Sequence, residues 1–289
     1  MQNVHVVTDS SAHFASPHVV PNVSIVPNTL TINGKSYREG VDLSTEEAMH
    51  LIGQQAAAPI VQPPSVADYL DVFGRLARDC DGIISIHASR ELSGSWANAK
   101  TAAQQLMGHC KMMVIDSRTL STAQGLLARL ALRAIGEQPT FDDVVRVVRG
   151  AVERLYSVYY VESVEYLMQN RILAPSHSVL SLMLNVKPVL TLEEGRLVPM
   201  EKVRSRAQGI ERMVEFAVEF IDIEDALIVQ SRPGLAEGTR QLQERLGVEF
   251  PNRHFLQAVY GASLAALIGT DATGLVILER EEDGTLDDF

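Results

Sequence analysis

Short apolar runs that end in small polar residues and then lead into a helix recur along the first half of this chain. That alternation limits its fold more than any other feature. Gly82-Ile83-Ile84-Ser85-Ile86 reads as a buried strand, His87 to Trp96 as a polar loop, and Ala97 to Met107 as a helix. Met112 to Ile115, Asp116-Ser117 and a helix over Ser121 to Ile135 repeat the pattern, and Val4 to Thr8 followed by Asp9-Ser10-Ser11 opens the chain the same way. Strand, loop and helix in that order argue for an α/β fold with a parallel sheet.

Between these units, Val23 to Leu30 reads as a strand. Asn33-Gly34 reads as a tight hairpin turn, since both central residues of such a turn need positive φ. Ser44-Thr45-Glu46-Glu47 is a capping box that opens a helix to about Gln55. Pro59 to Pro64 reads as a loop, and Ser65 caps a helix from Val66 to Arg78 whose apolar residues share one face. Thr140-Phe141-Asp142-Asp143 starts a further helix to Arg154. From Tyr156 on the pattern changes. Strands are expected at Ser157–Val161, Ala226–Gln230, His254–Ala258 and Leu275–Glu279, and a hairpin at Pro188–Leu192 and Arg196–Met200. Helices are expected at Ser163–Gln169, Ser176–Asn185, Ser205–Ile221, Leu235–Leu246 and Ser263–Leu267, with a frayed acidic tail from Glu281. The expectation is two α/β domains, 1–150 and 151–289, meeting near Gly150.

Length and charge bound the function. A chain of 289 residues buries roughly 75% of its unfolded surface. A formal charge of −11 opposes phosphate backbones and anionic membrane surfaces, so no nucleic-acid partner is expected. No apolar run approaches the ~18 residues of a membrane span, and the N-terminus lacks the basic and apolar regions of a signal peptide, so no stable membrane insertion is expected. Cys80 and Cys110 have no metal or redox spacing and read as reduced thiols of a cytoplasmic protein.

Most enzyme motifs are absent: there is no G-x-S-x-G, Walker A, G-x-G-x-x-G or H-E-x-x-H. The eight histidines show no metal spacing, and no cofactor is implied. His87, six residues before Ser93, is either a base for that serine or simply the end of a strand. Ser93, Gly94 and Ser95 sit at a helix N-terminus, where unpaired backbone N–H groups and the helix dipole favour a carboxylate or phosphate, unless a serine simply caps the helix. Asp9 and Asp116 would repel an anion and read instead as acceptors that brace loops. In the second half, Leu180, Met183, Leu184, Leu264 and Leu267 are either core or the wall of an apolar slot. Arg171, Lys202, Arg204 and Arg206 are either solvated surface or a docking patch for a partner.

These elements, in this order, resemble the DegV family, which includes the fatty-acid-binding subunits of bacterial fatty acid kinase. The resemblance rests on Val7-Thr8-Asp9-Ser10-Ser11, Leu92-Ser93-Gly94-Ser95, Val114-Ile115-Asp116-Ser117, Val161 to Leu167, Asn170-Arg171-Ile172, Asn185 to Leu190, and Lys202 to Arg206. It implies two α/β domains of DegV type, the first with a mainly parallel sheet and the second lining an acyl tunnel. A long-chain fatty acid lies between them, its carboxylate held by hydroxyl groups including Ser93. It also implies a non-catalytic protein that presents this carboxylate to a partner kinase for phosphorylation to an acyl-phosphate.

The chain departs from the family pattern where head-group ligands are expected. Val61 stands in place of a threonine, Leu267 in place of a histidine, and Gln230 in place of another histidine. A hydrogen bond to a charged group contributes roughly 1.5–3 kcal/mol, so the losses weaken or reorient head-group binding unless Gln62 or Thr270 compensates. A lipid carrier uncoupled from any kinase is the alternative, and a Ser93-dependent acyl hydrolase a remote one.

Overall fold

Residues 3–14, 22–173, 186–234 and 236–281 are described by a computed structural model of the chain. Four strands form a wholly parallel sheet in the order Val23–Val26 (β2), Val4–Asp9 (β1), Gly82–His87 (β6) and Lys111–Asp116 (β7). Every residue of β6 is buried, as expected of a strand covered on both faces. On one face Tyr69 and Phe73 of Val66–Leu76 (α2) and Ala99 and Ala102 of Ser95–Gln105 (α3) pack on Val7 and Ile83. On the other lies Ser121–Glu137 (α4), most of whose residues are buried. A helix buried on nearly all sides needs partners on nearly all sides. It has them: α4 packs on β1 and β6, on Phe141–Glu153 (α5), and on a strand of the second sheet.

That second sheet has six strands, ordered Arg196–Val203 (β10), Lys187–Glu193 (β9), Leu155–Val161 (β8), Ala272–Glu279 (β13), Ile223–Gln230 (β11) and Leu256–Val259 (β12). All its pairings are antiparallel except β11 with β12. Arg206–Val218 (α7) and Glu237–Glu249 (α8) bury one face through Ile210, Met213, Leu242 and Leu246. The β9–β10 hairpin turns on Glu194 and Gly195, both at positive φ (47° and 79°), as a two-residue turn of this twist requires.

Local chemistry explains most boundaries. Ser44 accepts the Glu47 amide and Glu47 reaches back to the Ser44 amide, which starts Thr45–Gly53 (α1); Ser65 and Asp68 do the same for α2. Asn33 and Gly34 carry φ of 51° and 74° between Thr29–Ile32 (β3) and Lys35–Arg38 (β4). Two readings needed correction. The single strand expected over Val23 to Leu30 breaks at Pro27, which has no N–H for a ladder, and the chain then leaves the parallel sheet. The loop expected at Pro59 to Pro64 contains Ile60–Gln62 (β5), which pairs with β3 as an edge between prolines. The helix expected at Ser176–Asn185, and with it Leu180, Met183 and Leu184, lies outside the described residues, as does the tail beyond residue 281. No helix among the described residues is long and apolar enough to cross a membrane.

Candidate functional site

The strands of the parallel sheet end in Asp9-Ser10-Ser11 and in His87-Ala88-Ser89, and a cavity of about 460 Å³ opens beside those ends. Crevices outside the carboxyl ends of parallel strands are where open α/β sheets bind ligands, and the volume falls within the roughly 300–1,000 Å³ of small-molecule sites. Ser11, Ala88, Leu92, Ser93, Gly94 and Leu120 form its wall from the sheet side. Ile60, Val61 and Pro63 close it from β5. The far wall is Gln169 and Asn170, at the end of Glu165–Gln169 (α6), with Ser263, Ala266 and Leu267 of Ala262–Ile268 (α9). The cavity is therefore assembled from both halves of the chain. Most of its lining side chains are apolar, with hydroxyls at Ser11, Ser93 and Ser263 and amides at Gln169 and Asn170.

Ser93 reaches the cavity because of how the β6–α3 loop is built. Leu92 and Ser93 both donate their amides to the Ser89 carbonyl, which curls the loop. The Ser93 Oγ accepts the Ser95 amide at 3.2 Å and donates to Ser95 Oγ at 3.1 Å. Gly94 is the helix N-cap and its Cβ position would meet Pro63 at 3.2 Å, so a side chain there would press on the β5 wall. Ser89 does something different: its hydroxyl donates to the Gly195 carbonyl at 2.7 Å and ties the loop to the β9–β10 hairpin of the other sheet.

The two aspartates brace loops, as expected from the sequence. Asp116 Oδ1 accepts the amides of Arg118 and Arg90. Asp9 Oδ1 accepts the Ser11 amide and Oδ2 the Ala88 amide, while Oδ2 also lies 3.0 Å from His87 Nδ1. Burial works to raise the Asp9 carboxyl, but hydrogen bonding and charge from His87, with further donors from Ser11 and Ala88, bring it below its ordinary value. His87 is wholly buried between Asp9, Tyr69 and Ser85 and ends its strand there. Burial, followed by the Asp9 charge, pushes Tyr69 well above the ordinary phenol value. Among the described residues no histidine, lysine or carboxylate hydrogen-bonds Ser93 Oγ, so the geometry supplies no general base for it.

Other residues singled out from the sequence are dispersed. Val61 and Leu267 line the cavity, whereas Leu264 is fully buried in the core. Gln62, the last residue of β5, is exposed and does not line the cavity, although Ile60, Val61 and Pro63 around it do. Thr270 follows α9 and lies against Gly53 at the end of α1, away from the cavity wall. Gln230 is a buried brace: it donates to the carbonyls of Arg232 and Gly234 and accepts from Thr239. Arg171, Lys202 and Arg204 are exposed, while Arg206 pairs with Glu162 at 2.8 Å. No group of three or more histidine, cysteine, aspartate or glutamate residues suited to a metal occurs among the described residues.

Sequence reasoning missed a second polar cluster behind the cavity. Glu39, just after β4, is buried, and its carboxylate accepts from Ser10 Oγ (2.7 Å), Ser263 Oγ (2.9 Å), Asn28 Nδ2 (3.2 Å) and the Ser263 amide (3.3 Å). Asn28 Nδ2 also reaches Ser11 Oγ (2.9 Å) and Ser263 Oγ (3.1 Å). Burial holds Glu39 above the ordinary carboxylate range, because its hydrogen bonds do not fully replace water.

A parallel sheet whose strand ends open on a cavity, walled by a strand of a small three-stranded sheet and by a helix leading into a mixed sheet, defines a class: α/β proteins built around a ligand-sized space. Within that class the chain belongs to the DegV family. The family model, described as uncharacterised protein, DegV family, matches residues 3–280. A DegV domain-containing protein of Caldanaerobacter subterraneus is 27% identical over 285 residues, covering 97% of this chain and all of that protein. Among solved structures, a fatty acid binding DegV family protein from Streptococcus agalactiae is similar with a TM-score of 0.86 at 24% identity, covering 97% of this chain and 100% of the other. The fatty acid kinase B3 protein of Streptococcus pneumoniae, loaded with linoleic acid, is similar with a TM-score of 0.82 at 20% identity, covering 96% and 100%.

Proposed function

We infer that this protein binds a long-chain fatty acid, with the carboxylate at Ser93 and the chain against the apolar wall, and presents that carboxylate to a partner fatty acid kinase. One observation carries the reading: Ser93 stands at the carboxyl end of a parallel sheet in a cavity whose other walls, at Ile60, Val61, Leu92, Leu120 and Leu267, are apolar. Such a space suits a molecule with one charged end and a long apolar remainder. Fatty acid binding by the Streptococcus agalactiae relative and the linoleic acid in the Streptococcus pneumoniae protein support the ligand class. Exposed Arg171, one residue beyond the cavity-lining Asn170, supports a docking role for the basic residues; Lys202 and Arg204 are exposed on and beyond β10. The protein's own part is to bind and orient, and the phosphoryl transfer belongs to the kinase.

Native mass spectrometry of the purified protein tests the ligand. A bound mass matching a long-chain fatty acid is expected, and protein that stays empty after incubation with fatty acids overturns the reading. A second reading, a carrier not coupled to a kinase, is favoured by Val61 and Leu267, which leave the wall apolar where the family resemblance places polar ligands. Incubation with a fatty acid kinase catalytic subunit and ATP separates the two: acyl-phosphate forms under the first and not under the second.

A further inference from the structure

The cavity offers two hydroxyls besides Ser93, Ser11 on the sheet-side wall and Ser263 on the far wall, and the polar cluster behind them fixes which way those hydroxyls point. Asn28 Nδ2 has two hydrogens for three oxygens, Ser11 Oγ at 2.9 Å, Ser263 Oγ at 3.1 Å and Glu39 Oε2 at 3.2 Å; the shortest contact takes one of them, so the Ser11 oxygen accepts. The Ser11 hydrogen is therefore directed elsewhere, and two acceptors are open to it: Asp9, whose carboxyl it helps to lower, or a ligand in the cavity that Ser11 lines. Asp9 is already supplied by the Ser11 and Ala88 amides, His87 and Gln124, so a ligand can take that hydrogen without orphaning the aspartate. Ser263 works through Glu39. While Glu39 is ionised, the Ser263 hydroxyl donates to it at 2.9 Å and shows the cavity only a lone pair. Once Glu39 carries a proton, Glu39 becomes a donor and the Ser263 hydrogen is released toward the cavity.

Resting on the fatty-acid reading, we propose that Ser11 and Ser263 complete the carboxylate clamp with Ser93, with Asn28 and Glu39 as positioning residues, and that the anionic head group is bound while Glu39 is protonated. Two carboxylates separated by a pair of serines in one buried site cannot both stay ionised without cost, so the bound anion draws a proton from solvent onto Glu39. Ser10, Asn28 and Ser263, the side chains that hydrogen-bond Glu39, are all uncharged. Of the titratable groups on the neighbouring elements, Asp9 is held by His87, Arg38 turns outward to Asp42, and the His13 ring is pushed down to about 4 by burial and is neutral at physiological pH. The α9 helix carries no titratable residue. The sign follows: affinity for the anion is full where Glu39 is neutral and falls as pH rises through its raised pKa, by up to about tenfold per pH unit.

The test is a binding titration with oleic acid and methyl oleate, using wild type, Ser11→Ala, Ser11→Thr and Glu39→Gln, over a series of pH values. Oleic acid affinity is expected to fall about tenfold or more in Ser11→Ala and to be retained in Ser11→Thr, with methyl oleate unchanged by either. Wild type is expected to lose affinity as pH rises through the Glu39 titration and Glu39→Gln to be flat, a pattern a merely structural role would not give. Oleic acid bound as tightly with alanine at position 11, or a pH profile that survives Glu39→Gln, overturns this inference alone. Wild type that binds no oleic acid overturns the underlying reading and this inference with it.

Discussion

Ser93 and Ser95 share one hydrogen-bond pair, the Ser93 oxygen accepting the Ser95 amide while its hydrogen goes to Ser95 Oγ. The Ser93 hydroxyl is thus locally satisfied, and a carboxylate displaces only the weaker neutral bond to Ser95 Oγ. Ser93→Ala is expected to lower fatty acid affinity by roughly 1.5–3 kcal/mol, with little change in melting temperature. Ser89→Ala should do the reverse, because Ser89 ties the loop to Gly195 and does not line the cavity. Binding titrations and thermal melts of the two variants check this; equal affinity losses would remove the role assigned to Ser93.

A glycine contrast tests how the loop after β1 is seated. A Cβ at Gly125 would meet the His13 carbonyl oxygen at 2.0 Å, whereas one at Gly150 would meet nothing. Both lie inside helices, where alanine is ordinarily preferred by roughly 0.5–1 kcal/mol. Gly150→Ala should raise stability by about that amount. Gly125→Ala should instead lower it by about 2 kcal/mol or more, because a backbone atom cannot step aside as a side chain can. Chemical denaturation of the two single variants reads both signs.

His13 gives a pH signature. Its ring packs under Gly261, and burial lowers it from 6.5 to about 4. A neutral buried histidine that charges on unfolding stabilises the fold fully above the unfolded value, and this is lost as pH falls from about 6.5 to about 4. The drop corresponds to at most roughly 3 kcal/mol, less in practice because His13 keeps part of its surface in water. His13→Asn is expected to flatten the stability profile over that window, as read by denaturant midpoints at about pH 4, 5, 6 and 7.

Val61→Thr puts a hydroxyl on the cavity wall where the family resemblance places one. It is expected to tighten fatty acid binding several-fold, while Gln62→Ala, on the exposed neighbour, leaves it unchanged. Isothermal titration of the two variants decides whether the wall at β5 faces the head group.

Much of the molecule could be read along the chain because the relevant physics is local. Capping boxes at Ser44 and Ser65, the Asn33-Gly34 turn and the fully buried strand from Gly82 all act within a few residues. Ser93 was legible for the same reason, as a hydroxyl at a strand-to-helix junction. The Glu39 cluster was not: Asn28 meets Ser263 across 235 positions, and nothing in Tyr37-Arg38-Glu39-Gly40 marks the glutamate as buried. Gln62 stands beside Val61 in the family pattern, but it ends a short strand as an exposed residue and does not line the cavity, which adjacency along the chain could not reveal. A charged residue set among loops and next to apolar strands gives no sequence signal of burial; only the partners supplied by distant segments make it tolerable.

The cavity takes Ser11 and Ser93 from the parallel-sheet side and Asn170, Ser263 and Leu267 from the segments that lead into the mixed sheet. An occupant would therefore act as a dowel between the two sheets. Unfolding either side would have to expel it, so occupancy should raise the melting temperature of the whole chain in one step, by an amount that grows with the logarithm of ligand concentration.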